Sequence, residues 1–158
     1  MADTKETSAL EERMREDTVK AQRNRDQVAV DTLRMGVNAF HLEEVARTDA
    51  KHQQHGKTLT DNDRFAILEK QVKQREEAAA IYRKANRTEL AEKEEREGAL
   101  LKAYLPAQLT DDELRAAVQA IVAREGKDFR KVMPVASREL KGRAEGKRVQ
   151  EFVREATS

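Results

Sequence analysis

The segment LPAQLTDDELRAAVQAIVAREG, residues 105–126, carries the clearest local signal in the chain. Thr110 followed three residues later by Glu113 forms a capping box, in which each side chain satisfies the other residue's free backbone N–H at a helix start. Leu109 and Leu114 stand at the hydrophobic-staple positions on either side of that cap, and Gly126 supplies a C-terminal stop. Leu114, Val118, Ile121 and Val122 recur between them at helical spacing and make one apolar face. Pro106 ends the helix that precedes this one, because a proline cannot continue the hydrogen-bond ladder.

Working outward toward the C-terminus, DFRKVMPVASRELKG (128–142) reads as a helix with Val132, Met133, Ala136 and Leu140 inward and Gly142 at its end. Pro134 must lie in its first turn or kink it. A last helix, from about Gly146 to Ala156, buries Val149, Phe152 and Val153. In the other direction a helix that follows a break at Asn86–Thr88 and runs to Tyr104 has the seam Leu90, Glu94 or Glu97, Leu101 and Tyr104. Before it lies a longer helix, capped by Thr60 and Asp63, with the seam Phe65, Leu68, Val72, Arg75, Ala79 and Tyr82. The break at Asn86–Thr88 makes these two an antiparallel hairpin. Arg75 and Glu97 stand eleven residues to either side of Asn86 and are expected to meet as a partly buried, structural ion pair.

Residues 48–63, TDAKHQQHGKTLTDND, have no periodicity and read as a surface loop. A helix from about Gln27 to Arg47 carries one apolar row, Val30, Leu33, Val37 and Phe40, and a second, Met35, Ala39, Leu42 and Ala46. Two rows predict packing against more than one neighbour. The first helix, from about Ser8 to Arg23, shows Leu10, Met14 and Val19 on an apolar side, and Arg25-Asp26 punctuates between the two. The fold class is therefore all-α: an N-terminal helical region, 1–97, containing the long hairpin, and a C-terminal three-helix unit, 98–158.

Composition agrees. Charged residues make up 39% of the 158, apolar residues 38% and aromatics 4%, so the surface is ionic and the core thin. Two prolines and six glycines favour long helices over many-turned β structure. The absence of cysteine excludes disulfides, thiolate metal sites and a thiol nucleophile. The start, MADTKETSALEERM, lacks a leader's apolar stretch, and no run of about 18 apolar residues could span a bilayer; a cytoplasmic location is expected.

Catalytic groups are not apparent. Ser8, Ser137 and Ser158 have no histidine close in sequence, and neither a P-loop nor a dinucleotide fingerprint is present. His52 and His55 lack a third ligand, so no metal site is expected, and nothing points to a cofactor. The acidic run EKEEREG (92–98) reads as salt-bridge partners on a solvated helix.

Charge, by contrast, is unevenly placed. Residues 1–97 hold 19 Lys and Arg against 21 Asp and Glu; residues 98–158 hold 12 against 9; residues 127–148 alone hold eight against three. The centre of this excess is KGRAEGKR (141–148), just before the last helix. It is either a solvated, solubilising turn or a phosphate cradle. In the second case the free N–H groups and dipole of the helix start would attract an anion. Gly142 and Gly146 would let the backbone approach the ligand, and Lys141, Arg143, Lys147 and Arg148 would contact phosphates, with Arg130 and Lys131 extending the surface. Tyr82, Tyr104, Phe129 and Phe152 are committed to apolar faces, so recognition of a folded RNA's backbone fits better than base stacking.

These residues bear a resemblance. The stretches Leu33-Arg34-Met35, Lys73-Gln74-Arg75, Tyr104-Leu105-Pro106 through Gln108-Leu109, Glu113-Leu114, Lys131-Val132-Met133 and Gly142-Arg143-Ala144-Glu145-Gly146 with Val149 resemble the GatB/YqeY family. Its members are small free-standing proteins similar to the C-terminal tail of the GatB component of the tRNA-dependent amidotransferase. The combination of a YLPxQL stretch with a GRAxG loop is the specific part. The resemblance implies a two-part helical fold and, from the related tail, contact with tRNA. The alternative expectation is a protein-interaction module that docks on an aminoacyl-tRNA synthetase or the amidotransferase through the Met35–Leu42 row or the long hairpin. The label of carbon–nitrogen ligase with glutamine as amido-N-donor goes with the larger enzyme, whose catalytic domains have no counterpart here. Arg130 stands where the family usually has glycine, and Glu145 where it usually has aspartate, a better N-cap. Nothing in the sequence sets the oligomeric state.

Overall fold

The structure, a computed structural model, describes residues 8–158. The residues before Ser8, half of the stretch expected to lack a leader, lie outside the described residues. Seven helices and no strand occur among the described residues: α1 Ala9–Arg23, α2 Gln27–Ala46, α3 Asp61–Lys84, α4 Thr88–Lys102, α5 Asp111–Glu125, α6 Phe129–Glu139 and α7 Gly146–Thr157. The fold is all-α. No described helix is long and apolar enough to cross a membrane.

The chain divides into two compact units between Leu105 and Pro106. The division expected at Glu97–Gly98 falls too early, because Leu101 is fully buried in the first unit's core with Phe40, Met14 and Leu68. The last turn of α4 therefore belongs to the first unit, and Pro106 begins the second.

In the first unit α1 and α2 are joined by a tight turn in which Arg25 has a positive φ of 56° and Asp26 caps α2 by accepting from the Ala29 N–H at 3.2 Å. The α3–α4 hairpin turns over Ala85–Arg87, with Asn86 at φ 58°, a left-handed conformation that asparagine tolerates better than most residues. Its antiparallel course is visible in cross-helix ion pairs: Arg83 with Glu95 at 2.6 Å, Lys102 with Glu76 at 3.8 Å, and Arg75 with Glu97. Arg75 and Glu97 meet as their equal distance from Asn86 required, with side chains only 12% and 13% exposed.

Three apolar assignments need correction. Val19 is exposed, because it lies five residues beyond Met14; Thr18, four beyond, takes the inward position and donates its hydroxyl to the Met14 carbonyl at 2.7 Å. Leu90 is exposed, and α4 buries Ala91, Gly98 and Leu101 instead. On α2 the second row is only partly covered: Met35 is 57% and Leu42 63% exposed, while Ala39 and Ala46 are half-buried. The helix does pack on α1, α3 and α4, but through Ala29, Thr32 and Gly36 beside the first row. A β-carbon at Gly36 would stand 2.9 Å from Met14 Cε and 3.4 Å from both Leu68 and Leu101 Cδ2, so this glycine sets how closely α2 approaches its neighbours.

The loop at 48–60 is held by two arginines that the sequence did not single out. Arg47 is buried and reaches Glu43 at 3.0 Å, Asp63 at 3.3 Å and the Thr58 carbonyl at 3.2 Å. Arg64, also buried, donates to the Leu59 carbonyl and Asp61 at 3.0 Å each and lies 3.8 Å from the buried Glu11 of α1. Both stitch α3's start to what precedes it.

The second unit packs α5, α6 and α7 around Leu114, Val118, Val132, Ala136, Val149 and Val153. The α5 capping box between Thr110 and Glu113 is formed on both sides, Leu109 and Leu114 are both buried, and Gly126 follows the helix with φ 87°. Pro134 is the sixth residue of α6, not in its first turn, and so removes the hydrogen bond that residue 134 would make to the Arg130 carbonyl.

Replacing Glu97 with Gln leaves Arg75 facing Glu94 at 3.7 Å as its remaining acid. We expect a loss of about 2 kcal/mol in urea unfolding, below the range for a fully buried pair because both groups keep some solvent; an unchanged midpoint would show that the pair carries no stability. Tyr104 donates to Asp17 at 2.5 Å. Burial first, and then this hydrogen bond, push the phenol above its ordinary range. A raised folded-state value means that the group's contribution is complete below the unfolded value of about 10 and is lost as pH rises beyond it. Tyr104→Phe should therefore cost about 1 kcal/mol near neutrality and flatten the decline in stability above about pH 10. An alkaline decline as steep as that of the parent would contradict the linkage.

Candidate functional site

The candidate site is the turn between α6 and α7. Leu140 caps α6, and its carbonyl accepts from the Arg143 N–H at 3.0 Å and the Ala144 N–H at 3.3 Å. Gly142 turns the chain with φ 78°, in the left-handed region open to glycine. Leu140 and Ala144 are buried on the core side, so the outer edge of the turn carries the polar residues.

This turn is fastened to the lead-in of α5. The Gln108 side-chain amide donates to the Gly142 carbonyl at 3.2 Å, and the Leu109 N–H donates to the Arg143 carbonyl at 2.9 Å. The Leu109 carbonyl accepts from both Nη1 and Nη2 of Arg148 at 3.3 Å, and Nη2 also pairs with Asp111 at 2.5 Å. The two stretches that carry the family resemblance most specifically, around Gln108-Leu109 and around Gly142–Gly146, are thus bonded to each other.

That clamp divides the expected phosphate contacts. Arg148 is engaged with Leu109 and Asp111, so it is a structural residue and leaves the set of available cations; the acid in the first turn of α5 lies within reach and takes the charge. Gly142 is buried and its carbonyl is occupied, so it makes the turn but does not bring backbone to a ligand. Lys141 is half-buried and is not a free cation. Arg143 and Lys147 are exposed, and no described carboxylate lies within ion-pairing distance of either. Gly146 is also exposed, and a β-carbon on it would meet nothing within 4 Å. Among the described residues no side chain caps the start of α7, where Glu145 stands at the N-cap position. Arg130 and Lys131 are exposed too, but in the first turn of α6, about 16 Å along that helix from the turn. The site therefore consists of two cations beside an open helix start, with a second cationic group at the far end of α6.

Of the remaining residues expected to be structural, Arg75, Glu97, Tyr104, Thr110 and Glu113 make the ion pair, hydrogen bond and capping box of the fold. Among the described residues no group of three or more His, Cys, Asp or Glu is placed to hold a metal ion. His52 lies 3.4 Å from Glu43 and accepts from the Gln54 N–H at 2.9 Å, and His55 is exposed. Sequence reasoning missed Gln108 and Asp111 as partners of the turn; the co-occurrence of the two motifs was the available signal.

These features define an all-helical protein of two compact units, the second a three-helix unit closed by a clamp between its first helix and its last turn. Residues 11–157 match the Yqey-like protein family, and the chain belongs to that family. None of the curated proteins matches it.

Arg148→Ala should lower stability by about 1–2 kcal/mol in urea unfolding, because it leaves the Leu109 carbonyl and Asp111 without their donor. Lys147→Ala should stay within about 0.5 kcal/mol of the parent, as for an exposed side chain outside any described ion pair. Equal effects of the two substitutions would show that Arg148 is no more structural than Lys147.

Proposed function

We propose that this protein is a cytosolic RNA-binding module, related to the tRNA-contacting tail of the amidotransferase, that grips the phosphates of a folded RNA through its second unit and has no catalysis of its own. The observation that carries the reading is the pair Arg143 and Lys147, exposed and outside any described ion pair, flanking a helix start whose N–H groups no described side chain caps. Such a start presents partial positive charge and donors to an anion. Arg130 and Lys131 at the other end of α6 offer a second contact at a spacing that a folded RNA backbone can bridge and a lone phosphate cannot. Arg148 supports the site by holding the turn.

A second reading, docking on an aminoacyl-tRNA synthetase or the amidotransferase, is favoured by one observation: Met35 and Leu42 are more than half exposed on α2. A pull-down that survives nuclease treatment would favour it. Release of ammonia from glutamine by the pure chain would overturn the absence of catalysis.

Filter binding with total tRNA at two salt concentrations tests the leading reading. Binding should be saturable, and the Arg143→Ala/Lys147→Ala double variant should weaken it and make the slope of log K against log salt shallower by about 2, one for each cation that no longer meets a phosphate. Unchanged affinity and slope in the double variant would sink the proposal.

A further inference from the structure

A different surface lies on the first unit. Between α1 and α2 runs a groove of about 390 Å³. Its walls are positions 15, 18, 19 and 22 of α1 and positions 34, 37, 38 and 41 of α2. Each set repeats as i, i+3, i+4 and i+7, which is one face of two turns of helix. The two helices run antiparallel across their short turn, and Arg15 Nη2 lies 2.9 Å from His41 Nε2, so the Arg15 end faces His41 and the Gln22 end faces Arg34. Two parallel ridges about 10 Å long, open to solvent between them, form the trough into which a third helix packs.

The chemistry of the walls narrows the occupant. Val37 is buried at the base, and Val19 is 45% exposed on the rim. Val45, one turn beyond His41, is 66% exposed and prolongs the apolar wall. Among the described residues no carboxylate lines the groove. At one end the positive charge is balanced: Glu11 lies 2.8 Å from Arg15 and 3.3 Å from His41, Glu44 lies 3.5 Å from His41, and exposed Glu12 stands just before Arg15. At the other end Arg34 is exposed and in no described ion pair; Asp31, also exposed, stands three residues before it and accepts from the Gln27 side chain at 2.7 Å. The groove therefore sets Val19 and Val37 among the polar Thr18, Gln22 and Asn38, and ends in Arg34, a cation outside any described ion pair. A nucleic acid would meet Arg34 but would leave the valines unpaired with anything apolar.

We infer that the α1–α2 groove docks an acidic amphipathic helix of a protein partner, with apolar side chains over Val19 and Val45 and a carboxylate on Arg34. This inference uses the first unit and is independent of the RNA reading. It also differs from docking on the Met35–Leu42 row, which lies about 100° round α2 and adjoins this surface at Leu42, next to Val45. Leu33-Arg34-Met35 is one of the stretches that carry the family resemblance, and no contact among the described residues accounts for the Arg34 guanidinium.

The test uses the full chain and two labelled alanine-based peptides of about 20 residues, long enough to populate helix. One carries leucines at i, i+4 and i+7 with a glutamate one turn beyond; the other has lysine in place of the glutamate. Fluorescence anisotropy should show saturable binding of the glutamate peptide. Arg34→Glu should weaken it about tenfold and shift the preference to the lysine peptide. Val19→Asp should weaken both peptides. Arg34 and Val19 are exposed, so an unchanged melting curve checks that both variants fold, and Arg34→Gln, which should merely erase the preference, guards against misfolding of the reversal variant. Failure of the parent to bind the glutamate peptide, or binding indifferent to Arg34, would overturn the inference. So would an RNA hairpin that displaces the peptide and itself depends on Arg34.

Discussion

The backbone of Leu109 is held from both sides. Its N–H donates to the Arg143 carbonyl, and its carbonyl accepts the Arg148 guanidinium, while its side chain is buried with Leu114 and Val149. A short extended segment just before a helix would otherwise leave these groups to water. Here they tie the start of α5 to the turn before α7, and Gln108 adds a third bond. The position of α7's first turn, and with it the direction in which Arg143 and Lys147 are presented, follows from this attachment. The cationic surface is a consequence of the clamp: the loop is fixed by one arginine so that its neighbours can remain exposed.

The first unit solves a different problem. Its core is thin for its helix lengths, and arginines nearly removed from water bridge what the core does not fill, Arg47 and Arg64 beside the 48–60 loop and Arg75 within the hairpin. Arg47, Arg64 and Arg75 each meet at least one carboxylate, and Arg47 and Arg64 also donate to loop carbonyls. Desolvating such groups is costly, and the attraction recovered inside the protein roughly offsets that cost, so their effect is on register and loop path more than on net stability. An arginine serves here because one planar group can satisfy several acceptors at once.

The cationic turn and the helix groove thus arise in separate units by separate means. In the second unit, basic residues remain available where no described acid lies within reach. In the first, apolar and cationic side chains remain exposed along a trough between two helices whose shared face is otherwise buried. The proposed RNA contact and the proposed helix groove therefore draw on different residues, Arg143 and Lys147 in the second unit and Val19 and Arg34 in the first.

Helix existence, helix ends and the register of the α3–α4 hairpin were legible in the sequence, because caps, staples and the 3.6-residue repeat act over only a few residues. Thr110 with Glu113, Thr60 with Asp63, and Arg75 set opposite Glu97 by equal distance from Asn86 are all local geometry. The fate of individual side chains was not legible. Val19, Leu90, Met35 and Leu42 have the hydrophobicity of core residues but lie on faces that no described neighbour covers, and α4's last turn sits in the first unit because Leu101 meets Phe40, more than sixty residues earlier in the chain. Arg148 and Lys147 are adjacent and both cationic; one is structural and the other exposed because the Leu109 carbonyl and Asp111, 37 residues from Arg148, are folded next to only one of them. Charge density is a property of sequence, but whether a charge is free depends on which distant acid the fold brings within about 4 Å, where Coulomb attraction and hydrogen bonding outweigh solvent.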